Sequence, residues 1–113
     1  MQRDFGAYLQ DIIESINEIE KFTSGINSKA IFVSNIEKKR AVERDIEIIG
    51  EAVKKLPDSL RNFHPEIEWK KIAGIRDILA HGYFSIDDDI IWDIIKNRLT
   101  SLKEACTDLL KRT

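Results

Sequence analysis

The sequence predicts an all-α fold, an antiparallel four-helix bundle with room for an extra short helix around residues 58–63. Apolar residues recur at steps of three and four through most of the chain. No segment shows the strict apolar and polar alternation that is typical of a strand. Amphipathic helices joined by short connections pack as antiparallel neighbours.

Length and composition predict one domain spanning residues 1–113. The chain has 113 residues, of which 42% are hydrophobic and 34% charged, a mixture that excludes a disordered chain. No apolar run approaches the roughly 20 residues that cross a bilayer. The first residues do not show the basic and then apolar order of a signal peptide, and Cys106 is the single cysteine. We therefore expect a cytoplasmic protein that does not associate with a membrane.

The first helix is predicted from about Asp4 to Phe22. Acidic residues fill the gaps between the apolar residues of this segment. The apolar residues form one stripe and are Phe5, Leu9, Ile12, Ile13, Ile16 and Ile19. Thr23, Ser24 and Gly25 end this helix, and Asn27 or Ser28 is suited to cap the next one.

The second helix is predicted to continue to Pro57, with a break near Ser34 or Asn35. Its apolar positions are Ile31, Phe32, Ile36, Val42, Ile46, Ile49, Val53 and Leu56. Two prolines mark the connection from Pro57 to Pro65, which has room for one helical turn around Leu60 to Phe63.

Two further helices complete the predicted bundle. The third carries Trp69, Ile72, Ile75 and Leu79 and stops at Gly82. The last begins at Ser85 or Asp87, and its predicted inward positions are Ile90, Ile91, Ile94, Ile95, Leu99, Leu102, Leu109 and Leu110.

The segment from Arg76 to Tyr83 is the most informative for function, because it places a guanidinium, an imidazole and a phenol within about two helical turns. Arginine binds phosphate through a planar fork of donors, and histidine exchanges protons near neutral pH. These residue types suit phosphodiester chemistry. By spacing alone, they also fit a solvated helix face and a histidine that caps a helix end.

Several segments together resemble the HepT branch of the HEPN all-helical domains. The matching stretches are Arg3-Asp4, Tyr8–Ile12, Arg40–Ala52, Pro65–Trp69, Gly74–Tyr83 and Ile91-Trp92. They cover nearly the whole chain. The specific feature is the combination of an Arg-x4-His-x-Tyr motif with an upstream Arg-x-x-Glu-x-x-Gly-Glu-Ala segment.

This resemblance implies a prokaryotic toxin that cleaves RNA without a metal ion at a cleft between two subunits. Arg76 and His81 match the catalytic positions of the family motif, and Tyr83 matches its tyrosine. The resemblance also implies a cognate antitoxin, an MntA-like minimal nucleotidyltransferase that transfers AMP from ATP to that tyrosine. Tyr83 is then an AMPylation site and not necessarily a catalyst.

Asp77 departs from many relatives, which carry asparagine directly after the motif arginine. Its carboxylate can orient His81 or pair with Arg76, and it would also repel a phosphate backbone. No zinc spacing, phosphate-binding glycine loop or serine triad occurs in the sequence, so neither a metal nor a cofactor is expected.

The second helix offers supporting residues. Arg44, Glu47 and Glu51 share one helix face and form either an exposed ion-pair ladder or a brace for the cleft. Gly50, in the same segment, leaves room for a neighbouring helix to approach closely.

The chemistry itself favours a homodimer. Cleaving RNA without a metal requires a base for the 2′-hydroxyl, an acid for the departing 5′-oxygen and a cation near phosphorus. Two chains related by a twofold axis supply two histidines and two arginines. On a continuous helix His81 lies about 140° around from Arg76, so either the helix loosens before Gly82 or His81 meets Arg76 of the partner subunit.

The net charge of −2 and the pI near 5.7 exclude a strongly basic surface, so RNA binding requires a local patch. Three short basic clusters either supply this patch or are ordinary solubilising charge; they are Lys38–Arg40, Lys54-Lys55 and Lys70-Lys71.

The alternative to a toxin ribonuclease is a non-catalytic subunit that binds substrate or nucleotide for a partner nucleotidyltransferase.

Overall fold

Helices account for the regular secondary structure of the part of the chain that the computed structural model describes, residues 4–81 and 88–113, with the backbone alone at residues 78–81. They are α1 (Phe5–Thr23), α2 (Lys29–Ser34), α3 (Ile36–Lys55), α4 (Asp58–Arg61), α5 (Trp69–His81), α6 (Asp88–Asp93) and α7 (Leu99–Arg112), with a π-helical segment at Ile94–Arg98. The predicted all-α helical bundle is confirmed. None of the described helices has the length and apolar character of a membrane span.

The predicted boundaries of the first two helical segments are confirmed within a residue or two. Asp4 caps α1 by accepting a hydrogen bond from the Gly6 amide at 2.8 Å. Ser28 caps α2, and the predicted break falls at Asn35, whose side chain accepts from the Lys38 amide at 3.1 Å and caps α3. The polar side chains therefore fix where each helix begins.

Four amphipathic faces form the core, because α1 packs on α3 and α7 while α3 also packs on α5. The fully buried side chains come from most parts of the chain; the largest of them are Phe32, Leu9, Ile12, Ile16, Ile19, Leu56, Ile91 and Leu109. Cys106 is also buried in this core, and burial raises the pKa of its thiol to about 12. The sequence stripes thus predict most of the interior.

Among the side chains that the structure describes, four members of the predicted apolar stripes are exposed instead. Phe5 lies in the first turn of α1 and is 42% exposed. Ile31 and Ile36 flank the break at Asn35, which ends the common helical register on which their inward placement depended. Ile90 is exposed because it lies about 100° around the helix from Ile91, and only Ile91 enters the core.

The connection between α3 and α5 contains the predicted turn, which the structure places at Asp58–Arg61 as α4. The indole of Trp69 donates to the carbonyl oxygens of Arg61 at 3.2 Å and His64 at 3.0 Å. These two hydrogen bonds and the burial of its ring anchor Trp69 in the connection between α3 and α5.

The last helical region contains a π-helical segment that the sequence did not predict. Its apolar spacing suggested one regular helix, but Ile94–Arg98 winds as π helix between α6 and α7. Trp92, just before this segment, packs against Phe32 with ring centroids 5.7 Å apart. The starting residues of the predicted helix, Ser85 and Asp87, lie outside the described residues, as does Gly82.

The contact between α3 and α5 depends on Gly50. A Cβ atom built on this buried glycine would lie 2.3 Å from Cβ of Arg76 and 3.0 Å from the carbonyl oxygen of Ile72. Real Cβ atoms do not approach other atoms so closely, so a larger residue would force the two helices apart. Gly50 therefore permits the close helix approach that the sequence predicted, and it does so directly beneath Arg76.

A buried carboxyl group lies between α1 and α3. Asp45 is 3% exposed, and its Oδ2 atom has no hydrogen-bond partner in the described part of the chain. Burial is the main cause that raises the pKa of Asp45 to about 7, and the nearby carboxylate of Glu18 adds to the rise. The hydroxyl group of Ser15 acts in the opposite direction. Asp45 is therefore at least partly protonated near neutral pH.

Replacing Asp45 by asparagine is expected to stabilise the protein at pH 8 by roughly 1–3 kcal/mol. The folded state holds the Asp45 proton up to about pH 7, whereas the unfolded chain releases it near the ordinary value of 3.8. Stability therefore falls as pH rises through this window, and Asn removes that loss. Urea unfolding at several pH values measures the effect, which should fade towards pH 4. A less stable Asp45→Asn variant at pH 8 would contradict this account.

Replacing Gly50 by alanine is expected to lower the free energy of unfolding by about 2–4 kcal/mol, because the new methyl group collides with Arg76. Gly74→Ala is the matched control, since a Cβ at this helical glycine meets nothing within 4 Å. That control should leave stability unchanged or raise it by about 0.5–1 kcal/mol. Equal effects of the two substitutions on chemical denaturation would refute the close contact.

Candidate functional site

The candidate site begins on the outer face of the α3 and α5 contact, where Arg76 lies over Gly50. The Arg76 side chain is 28% exposed, which is less than expected for a solvated helix face. Its Nε atom is buried and has no hydrogen-bond partner among the described residues. Burial thus holds the guanidinium in place, and the part of it that remains exposed can receive an anionic ligand.

Asp77 is an anionic partner of this guanidinium. Its Oδ1 atom lies 3.3 Å from Nη1 of Arg76 and 2.8 Å from Nζ of Lys54, which reaches across from α3. The hydrogen bond from Lys54 is the main cause that lowers the pKa of Asp77, and Arg76 contributes further. Of the two roles that the sequence suggested for Asp77, the structure shows the pairing with Arg76.

His81 is the last residue of α5, so the helix is regular over all five steps from Arg76 to His81. The helix does not loosen before Gly82, which was one of the two alternatives suggested by the sequence. Positions five residues apart on an α-helix are separated by about 140° of rotation and about 7.5 Å of rise. The side chain of His81 and the whole of Tyr83 lie outside the described residues.

Arg44 and Glu47 form an ion pair with each other at 3.2 Å on the exposed side of α3. The Arg44 side chain is 64% exposed, and in the described part of the chain no hydrogen bond or ion pair joins either residue to Arg76 or Asp77. The role of these two supporting candidates as a brace for the cleft therefore stays a prediction.

His64, the other histidine of the chain, is hydrogen-bonded to two carboxylates. Nε2 of His64 lies 2.8 Å from Asp108, and its Nδ1 lies 2.9 Å from Glu66. Hydrogen bonding to Asp108, followed by that to Glu66, raises the pKa of this imidazole. His64 thus ties the connection before α5 to α7, and both ring nitrogens are already engaged.

The basic clusters separate into paired and unpaired residues. Lys54 binds Asp77, Lys39 binds Asp88 at 2.9 Å, and Lys71 binds Glu68 at 3.0 Å. Lys55 is exposed and forms no ion pair with any described residue. Lys54 is therefore the basic residue of these clusters that lies within reach of Arg76 through a shared partner.

Ion pairs also fix the start of α6. Asp88 pairs with Lys39 of α3, and Asp89 pairs with Lys29 of α2. Hydrogen bonding to Asp88 raises the pKa of Lys39. The sequence placed the two aspartates in the first turn, where their negative charges interact favourably with the helix dipole. It gave no signal for partners so distant along the chain.

An apolar groove of about 400 Å³ runs beside α5. Its apolar lining includes Ile72, Ile75, Ile90 and Ile94. Charged side chains of both signs form its rim, among them Glu68, Asp93 and Arg98. Ile75 directly precedes Arg76, so the groove and the candidate site are neighbours on α5. Within the described ranges, no group of three or more His, Cys, Asp or Glu side chains is arranged to hold a metal ion.

The chain matches a known family over most of its length. The sequence pattern of the ribonuclease HepT-like family matches residues 12–109. A protein of Thermococcus cleftensis named probable ribonuclease HepT is 42% identical over 103 residues, which are 91% of this chain and 93% of that relative.

Two further relatives carry similar names. A protein of Methanocaldococcus jannaschii named "Putative RNase" is 37% identical over 110 residues, covering 97% of this chain and 90% of the relative. Another with that name from Caldanaerobacter subterraneus subsp. tengcongensis is 37% identical over 105 residues, covering 93% of each. No solved structure matches the chain significantly. The family match and these identities show that the chain belongs to the ribonuclease HepT-like family.

Proposed function

We propose that this protein is the toxin component of a prokaryotic toxin-antitoxin system and acts as a metal-independent endoribonuclease. The observation that carries the proposal is the placement of Arg76, with its Nε atom buried and unpartnered, on the helix that also bears His81. The names of the relatives, which describe ribonucleases, support the same activity.

In this proposal Arg76 binds the scissile phosphate and stabilises the negative charge that grows on its oxygens. A histidine takes the proton of the 2′-hydroxyl, the 2′-oxygen bonds to phosphorus, and the bond from phosphorus to the 5′-oxygen breaks. A second histidine gives its proton to the departing 5′-oxygen. His81 serves as base in one subunit and as acid in the other.

The regular winding of α5 supports a homodimeric cleft. Since about 140° of helix rotation separates positions 76 and 81, one chain alone does not bring both positions to one side of α5. The apolar groove beside Ile75 offers a surface for a second copy, because its rim carries both charge signs and can be self-complementary across a twofold axis.

AMPylation of Tyr83 by an MntA-like nucleotidyltransferase is the proposed means of silencing. An added AMP brings bulk and negative charge next to the motif, and negative charge repels the RNA backbone. The support is the Arg-x4-His-x-Tyr spacing of the sequence and the membership of the family.

Purified protein is expected to cleave RNA in the presence of EDTA. His81→Ala should lower the rate by about 100-fold or more, and Arg76→Ala by roughly 100-fold to 1,000-fold. His64→Ala is the control for removing a histidine, since both of its ring nitrogens are engaged elsewhere. Cleavage of a labelled RNA, followed on gels, measures the rate for the original protein and the three variants.

If His81→Ala cleaves as fast as the unmodified sequence, the nuclease is a contaminant and the proposal fails. RNA binding without cleavage would then favour the non-catalytic binding subunit. In the same preparations the active species should sediment at twice the chain mass of 13.1 kDa. Full activity in a species of single-chain mass would contradict the shared cleft.

The modification is tested by incubating the protein with ATP and an MntA-like nucleotidyltransferase. Intact mass spectrometry should show added AMP units together with loss of RNA cleavage. Tyr83→Phe should abolish the mass increase, because it removes the accepting hydroxyl group, while Tyr8→Phe should keep it. Equal modification of the Tyr83→Phe variant would place the acceptor elsewhere.

A further inference from the structure

One carboxylate oxygen of Asp77 is shared by two cations. Nζ of Lys54 lies 2.8 Å from Oδ1, and Nη1 of Arg76 lies 3.3 Å from the same atom. The distance to Lys54 is that of a strong charged hydrogen bond, whereas the distance to Arg76 is long for one. Asp77 is therefore bound mainly by Lys54.

The close approach of α3 and α5 explains why this lysine reaches Asp77. Lys54 follows Gly50 by one helical turn, so both lie on the same side of α3. Gly50 contacts the backbone beneath Arg76, and Asp77 is the next residue on α5. The contact that seats Arg76 thus also brings the ammonium group of Lys54 to the carboxylate.

Removing Lys54 would change what Asp77 does to its neighbour. Arginine and carboxylate groups readily form two parallel hydrogen bonds, which would engage donors of Arg76 that a phosphate requires. It would also change the local charge, since Lys54, Asp77 and Arg76 together carry one positive charge and the last two alone carry none. A phosphate backbone is attracted only in the first case.

We propose that Lys54 is a positioning residue of the ribonuclease site, which binds the carboxylate of Asp77 and so keeps the guanidinium of Arg76 available for the RNA phosphate. This inference rests on the proposed ribonuclease function. It also explains how the site accommodates an acidic residue directly after the motif arginine. The lowered pKa of Asp77 agrees with this arrangement, because Lys54 is its main cause.

The ion pair between Lys54 and Asp77 is not expected to be needed for the stability of the fold. The side chains of Lys54 and Asp77 are 44% and 45% exposed, and ion pairs so exposed contribute little to stability. A Lys54 variant is therefore expected to fold normally, and its melting temperature checks this directly. Changes in its activity then report on the site.

The test is a double-mutant cycle on RNA cleavage. Lys54→Ala should lower kcat/KM on the order of tenfold when Asp77 is present, and Lys54→Arg should restore most of it. In an Asp77→Asn background the same Lys54→Ala change should have less than about a threefold effect, since no carboxylate remains to be neutralised. Lys55→Ala is the matched control, because it removes the adjacent lysine charge and should leave kcat/KM unchanged.

A second readout does not depend on activity. In ¹³C NMR titrations the pKa of the Asp77 carboxyl should rise in Lys54→Ala and stay unchanged in Lys55→Ala. An equal loss of activity from Lys54→Ala in both backgrounds would overturn the proposal, since it would mean that Lys54 contacts RNA directly. Unchanged activity of Lys54→Ala in a protein that still requires His81 would also overturn it, while leaving the ribonuclease function intact.

Discussion

The contact of α3 with α5 at Gly50 is the constraint on which the candidate site depends. Because residue 50 has no side chain, the two helices approach until the backbone of α3 lies against Ile72 and Arg76. This approach partly buries the guanidinium of Arg76 and leaves its Nε atom without a partner. The same geometry that completes the bundle therefore prepares a cation for an anionic ligand, at the cost of an unsatisfied donor.

Charge is arranged around this contact in two ways. On the site side, Lys54 and Arg76 share Asp77, so the acidic residue of the motif is neutralised where RNA would approach. In the interior, Asp45 is buried beside Glu18 and is at least partly protonated near neutral pH. The first arrangement favours binding of a phosphate, whereas the second makes the packing of α1 on α3 sensitive to pH.

Much of the fold follows from local rules that a sequence displays. Apolar spacing predicted the buried faces of α1, α3 and α7, and capping chemistry predicted the start of α2 at Asn27 or Ser28, which the structure has at Ser28. The motif and its upstream segment predicted the family. Contacts between distant residues, such as Lys54 with Asp77 and Lys39 with Asp88, carry no local signal. The exposure of Ile90 likewise depends on which of two adjacent apolar residues finds a neighbour.

The central claim is that the donors of Arg76 bind the scissile phosphate. The most direct test is an NMR titration of the arginine Nε–H resonances with an RNA whose scissile 2′-hydroxyl is replaced by hydrogen. The account predicts a large shift of the Arg76 resonance and little change at Arg44, which pairs with Glu47 instead. A bound RNA that leaves the Arg76 resonance unmoved would contradict it.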